Sequence, residues 1–272
     1  MDDVIEFGDK SSCVAYFIFR KSNNESNKKS IEYSASIFKM LNQNDRNIYY
    51  CLCSNKDQFK NKLHSWCSTI GKLVNEEVLL SGNELLGNDI STGGNLLDCI
   101  VENLPEKTLQ QTTAFASVIS KKQENELLNR NSFLCIYAHM GENGLSNGWE
   151  ETDSNDMKLG GTISWEELFV IIKDYVSTLW LAGCCSIAFV KKYVSQFRGG
   201  KLQSLLATTH NSCWLELIKH FKNAYCMDPI TFTDEILLEI YKEKPELAVY
   251  CKLYVKNEND EFEEQSLLKF KE

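Results

Sequence analysis

The chain has 272 residues, 43% of them hydrophobic and 25% charged, the proportions of an ordinary globular protein, which exclude wholesale disorder. Its 38 acidic residues against 29 Lys and Arg give a net charge of −9, and no dense Lys/Arg block interrupts that excess, so no nucleic acid partner is expected. No apolar run approaches the roughly 20 residues that cross a bilayer, and the N-terminal MDDVIEFGDKSSC lacks the basic and apolar regions of a secretory signal, so the expectation is a cytoplasmic protein with no membrane partner.

Strand-length apolar stretches alternate with helix-length amphipathic ones, the signature of an α/β fold with a mainly parallel sheet. Val14–Arg20 (VAYFIFR) reads as the first strand, followed by the polar loop SNNESNKKS and a helix with Ile31, Ala35, Phe38 and Leu41 on its buried face. Ile48–Cys53 (IYYCLC) reads as the second strand. Ser54 is the expected cap of a helix that buries Phe59, Leu63, Trp66, Cys67 and Ile70. Residues 73–130 break this rhythm and read as an insertion. A third strand, Ser132–Ala138 (SFLCIYA), is apolar throughout, as a strand covered on both faces should be, and ends at His139.

A Gly-, Asn- and Asp-rich loop with the composition of a hairpin follows, then a helix announced by Ser164 and Glu167 at capping-box spacing, with Leu168, Ile171, Ile172 and Tyr175 inward. The fourth strand, Thr178–Gly183, runs into Cys184, Cys185 and Ser186. Beyond it come the helix SIAFVKKYVSQF, a fifth strand Leu202–Thr208, and helices carrying Trp214, Ile218, Phe221 and Tyr225 and then TDEILLEIYKEK. A last strand is expected over Leu247–Val255. No linker separates two domains, so the expectation is one domain over residues 1–272, with about six central strands and helices on both faces.

The 11 cysteines are scattered and show no zinc-knuckle spacing, so neither a metal nor a cofactor is expected. Most lie in apolar segments, where a reduced thiol is a small hydrophobe. In open parallel sheets, ligands bind at the carboxyl ends of strands. The consecutive strands ending at His139 and Cys184 offer a base and a nucleophile there, and right-handed crossover would set them side by side. A thiolate attacks and a nearby imidazole protonates the leaving amine, so the pair suits acyl transfer. Of the four histidines, His64 and His220 fall within helices, and His210, at the end of the fifth strand, is the rival base. Adjacent Cys185 cannot share the nucleophile's role, and Ser186 lacks a GxSxG setting. Gly141 and Gly144 beside His139 would let a substrate backbone approach. A flavodoxin-like nucleotide-binding reading lacks a GxGxxG or Walker A loop after the first strand.

SFLCIYAHMGENG resembles the block of caspase and CHAT-type peptidases in which an apolar strand ends in His followed by Gly. WLAGCCS resembles the CHAT and separase strand ending in Ala-Cys or Gly-Cys, then any residue and Ser. The resemblance selects Cys184 over Cys185 and implies a caspase-like fold and a Cys–His dyad endopeptidase, with protein or peptide as substrate. It further implies an oxyanion site made by the backbone N–H groups of Cys184, Met140 and Gly141. Met140 departs from the family's Gly, which keeps a catalytically silent, partner-binding module as the alternative. By position, the substrate pocket would draw on Ala182, Arg20, Thr208, Thr209 and His210, with Lys21, Lys28 and Lys29 adding positive charge. Regulation by an activating or inhibitory protein partner, or by cleavage, and a setting in bacterial defence or regulated cell death follow from the same likeness.

Overall fold

The computed structural model describes residues 4–21, 28, 31–32, 48–86, 132–151, 157–209, 242 and 251–265. The chain forms two compact units, one of residues 1–70 and 131–272, the other of residues 71–130. Of the second unit, only the end of one helix lies among the described residues.

The first unit is built on β1 (Ile5–Phe7), β2 (Val14–Phe19), β3 (Ile48–Cys53), β4 (Phe133–Gly141), β5 (Gly144–Ser146), β6 (Gly148–Glu151), β7 (Met157–Gly160), β8 (Ile163–Ser164), β9 (Thr178–Ala182), β10 (Ser204–Thr208), β11 (Cys251–Lys256) and β12 (Phe262–Gln265). The central five run parallel in the order β3-β2-β4-β9-β10. Outside them β1 lies antiparallel on β3, β11 on β10 and β12 on β11, while β5 and β8 extend from β4. Among the described residues the sheet therefore has ten strands and is mixed. The expectation of a mainly parallel sheet of about six strands is corrected by its flanks. Apolar runs reveal strands buried on both faces, whereas β1 and β12 are short edge strands with no buried position that carry Glu6, Glu263 and Glu264. A separate hairpin, β6-β7, occupies part of the polar loop after β4.

The five central strands form the core: β2 and β3 are buried at every position, as are β9 and β10. Helix α1 (Lys56–Leu86) lays Phe59 and Trp66 edge-on against Phe17, with ring centroids 5.6 and 6.3 Å apart, a geometry aromatic quadrupoles favour. Trp66 also donates its indole N–H to the Ser12 carbonyl at 2.8 Å. The cap is one residue later than expected: the side chain of Asn55, not Ser54, accepts from the Gln58 N–H at 2.9 Å. Of the helix expected over Ile31–Leu41, only Ile31 and Glu32 are described, and both are helical. The helices expected around Trp214 and over TDEILLEIYKEK lie outside the described residues, apart from helical Lys242, as does the start of the last strand before Cys251. No helix among the described residues is long and apolar enough to cross a membrane.

Helix α2 (Trp165–Ile172) begins with the expected capping box. Ser164 Oγ accepts from the Glu167 N–H at 3.1 Å, and Glu167 Oε2 accepts from the Ser164 N–H at 2.9 Å. Glu167 is also paired with Lys56 at 3.0 Å and Lys60 at 2.9 Å. Burial opposes its charge, but Lys60, the Ser164 N–H and Lys56 prevail and hold the carboxyl at about 2. Because the folded value lies below the unfolded one, this stabilisation is complete above the ordinary carboxylate range and is lost as pH falls toward 2. Glu167→Gln is expected to cost about 1 kcal/mol at neutral pH. In urea unfolding the difference from wild type should shrink as pH drops below 4, and a gap unchanged at pH 3 would refute the assignment.

Helix α3 (Ile187–Tyr193) runs into a 3-10 turn, Val194–Phe197. Trp165 and Phe169 of α2 meet Phe189, Tyr193 and Phe197 here, with Phe169 stacked on Tyr193 at 4.9 Å. This aromatic cluster ties together the segments that precede and follow β9.

Candidate active site

Register across the parallel strands builds the site. Ile18, Tyr137 and Ala182 are neighbours on β2, β4 and β9. Two residues later on each chain, one strand period, come Arg20, His139 and Cys184. Three adjacent strands, each about 4.8 Å from the next, thus lead to a guanidinium, an imidazole and a thiol at the sheet's carboxyl edge. Cys184 lies in the turn that begins where β9 ends at Ala182 and the Gly183 N–H donates to the Leu181 carbonyl at 3.0 Å. The strand carrying His139 does not end there as the sequence suggests: β4 continues to Gly141 and turns through Glu142 and Asn143 into β5. Glycine is required on the return arm. A Cβ on Gly144 would lie 2.0 Å from the Ile163 carbonyl oxygen, so the space beside this glycine belongs to β8 and not to a substrate backbone.

Arg20 is held by several contacts. Its backbone N–H donates to the Cys53 carbonyl at 3.1 Å, its guanidinium carbon lies 4.5 Å from the Tyr137 ring centroid, and its Nη1 donates to Nε2 of His139. The side chain is 8% exposed. Burial first, and the Arg20 charge second, push the His139 imidazole down to about 4, so the ring is neutral at physiological pH. Lys21 N–H reaches the Asn147 carbonyl at 2.8 Å. Exposed Lys28 is described in isolation, and Lys29 lies outside the described residues.

The turn after β9 is held by hydroxyls. Ser186 Oγ donates to the Leu181 carbonyl at 3.0 Å and accepts from the Thr208 N–H at 2.9 Å, while Thr208 Oγ1 donates to the Gly183 carbonyl at 2.6 Å. Ser186 is therefore a clamp between β9 and β10. Thr208 and Ala182 are fully buried among the described residues, and Thr208 fixes the turn at Gly183. Thr209 is partly exposed, whereas His210, the rival base, and His220 fall outside the described residues. His64 lies exposed on α1.

Met140, the departure from the family pattern, has a structural counterpart. Its side chain is 5% exposed and occupies the space beside Gly183: a Cβ there would meet Met140 Cγ at 2.6 Å and Sδ at 2.7 Å, as well as the Ala138 carbonyl oxygen at 2.6 Å. Met140 and Gly183 fill one volume between them, directly before Cys184. Met140 and Gly141 pair with Leu145 and Gly144. Since hydrogen-bonded and non-hydrogen-bonded pairs alternate in such a ladder, only one of the two can turn its N–H toward an oxyanion.

The thiols separate by exposure. Cys51, Cys53, Cys67 and Cys135 are buried, whereas Cys184 and Cys185 are partly exposed and Cys13 is exposed. Burial raises the Cys67 thiol to about 12 and the Cys135 thiol well above its usual value. Cys185 adopts a left-handed backbone, φ 55°. Burial, Cys184 and Glu142 together raise its thiol. Glu142 also rims an open cleft of about 470 Å³, lined by Lys56, Gly141, Asn143, Gly144, Thr162, Ser164 and Glu167. Glu142 thus stands on the rim of this cleft and within electrostatic reach of Cys185.

No group of three or more His, Cys, Asp and Glu side chains is arranged to hold a metal ion among the described residues. The Ser186–Thr208 clamp, the Tyr137 platform and the cleft were not anticipated from sequence. Counting two residues past a paired row of strands would have found the company of Arg20. No family model, curated protein or solved structure matches this chain.

Proposed function

We propose that the chain is a caspase-like cysteine endopeptidase that cleaves protein substrates through Cys184 and His139. One observation supports the reading: β4 and β9 pair in parallel up to Tyr137 and Ala182, two residues before His139 and Cys184, so both follow adjacent strands to the same edge of the sheet. In the reaction Cys184 Sγ, having given its proton to His139, attacks the peptide carbonyl. The tetrahedral oxyanion is held by the Cys184 N–H with help from Met140 or Gly141. The C–N bond then breaks as the imidazolium returns the proton to the leaving amine, and water hydrolyses the thioester. The cleft rimmed by Glu142, about 470 Å³, is of a size that accommodates part of a peptide. A cytoplasmic effector controlled by a protein partner or by cleavage, in bacterial defence or regulated cell death, is the setting this reading implies.

Arg20 on His139 and Met140 packed against Gly183 favour the second reading, a catalytically silent module that binds a partner protein. A peptidyl acyloxymethyl-ketone probe separates them. The peptidase reading expects covalent labelling of Cys184 by mass spectrometry, reduced about tenfold or more by His139→Ala. Equal labelling of Cys13, Cys184 and Cys185 would sink it.

A further inference from the structure

We infer that Arg20 is a latch on the base: while its guanidinium donates to Nε2 of His139, the imidazole cannot take the Cys184 proton. The inference rests on the dyad reading above. A neutral imidazole has one N–H and one lone pair, whereas arginine has donors only and stays charged. Arg20 Nη1 at Nε2 therefore assigns the lone pair to Nε2 and the proton to Nδ1. If the ring turns Nε2 toward Cys184, its lone pair is already engaged. If it turns Nδ1 there, that nitrogen can only donate. Neither orientation leaves a base.

The latch is built into the fold. Arg20 and His139 occupy the same level of β2 and β4, on the sheet face that carries Tyr137, and Tyr137 supports the cation from below. The Arg20 backbone is fixed to Cys53 and the next residue to Asn147, so opening needs rotation of one side chain and no movement of the sheet. When the guanidinium swings away, the ring exchanges its proton with water. The nitrogen facing Cys184 then accepts the Sγ proton, leaving thiolate and imidazolium. Arg20 is thus a positioning residue that sets which His139 nitrogen is protonated.

The test uses the full chain. In wild type, imidazole ¹⁵N shifts should report an unprotonated Nε2 and a proton on Nδ1; a proton on Nε2 at neutral pH would overturn the latch without any variant having to fold. Arg20→Met removes every donor while keeping a stem over Tyr137, and Arg20→Lys keeps a donor. Iodoacetamide should alkylate Cys184 about 10²-fold or more faster in Arg20→Met, within the 10²–10⁴ range of a freed general base, and near the wild-type rate in Arg20→Lys. An Arg20→Met rate equal to or below wild type refutes the latch while leaving the dyad intact. A gain that persists in Arg20→Met/His139→Ala refutes the dyad instead.

Discussion

Once Arg20 is off His139, as in an Arg20→Met background, peptide hydrolysis is expected to disappear in Cys184→Ala and to fall about 10²–10⁴-fold in His139→Ala, the loss typical of a removed general acid–base. The two losses differ in kind. Without the thiol no acyl-enzyme can form, whereas without the imidazole a small thiolate fraction still attacks and the amine leaves by taking a proton from water. Cys185→Ala is the control, because Ala preserves the Cβ and the left-handed backbone at that position while removing the only other thiol of the turn. Activity measured as kcat/KM on a cleaved peptide should survive in Cys185→Ala. Loss in that variant with retention in Cys184→Ala would reverse the assignment of the nucleophile.

Gly183→Ala is expected to destabilise the fold by about 1–3 kcal/mol, the range for overpacking a filled site. The added methyl would meet the Ala138 carbonyl oxygen and the Met140 side chain, each at about 2.6 Å, far inside the contact distance of roughly 3.5 Å or more. The two obstacles respond differently. Met140 is unbranched and can be shortened, but the Ala138 carbonyl belongs to β4 and cannot withdraw without disturbing the pairing of Phe133–Tyr137 with Thr178–Ala182. Met140→Ala in the Gly183→Ala background should therefore restore part of the lost melting temperature and not all of it. A Gly183→Ala protein melting with wild type would show that the turn is looser than its contacts indicate.

The five central strands were legible because residues such as Phe17, Cys51 and Leu181 lie in unbroken apolar runs, the pattern of strands buried on both faces. The capping box of Ser164 and Glu167 was equally legible, since its two hydrogen bonds are local. The edges were harder: Glu6 sits on a strand that a search for apolar stretches passes over, and the acidic stretch from Asn257, which could be read as loose or as an edge, pairs with the sheet through Glu263 and Glu264. Nor does a sequence state which cap wins when Ser54 and Asn55 are neighbours. His139 and Cys184 could be read because each follows an apolar strand. The place of Arg20 beside them depends on the relative register of β2 and β4, set by packing between residues separated by 119 positions. The roles of Ser186 and Thr208 depend likewise on β10 lying next to β9.

Cys185 shows how a protein can make two identical side chains unlike without changing either. A left-handed residue other than glycine costs about 1–2 kcal/mol, and the turn accepts that cost one bond after Cys184. Burial, the neighbouring Cys184 and Glu142 together disfavour a negative sulfur on this second thiol. Two sulfur atoms on adjacent residues thus sit on backbones of different hand, and an electrophile arriving at this edge finds the second of them harder to ionise.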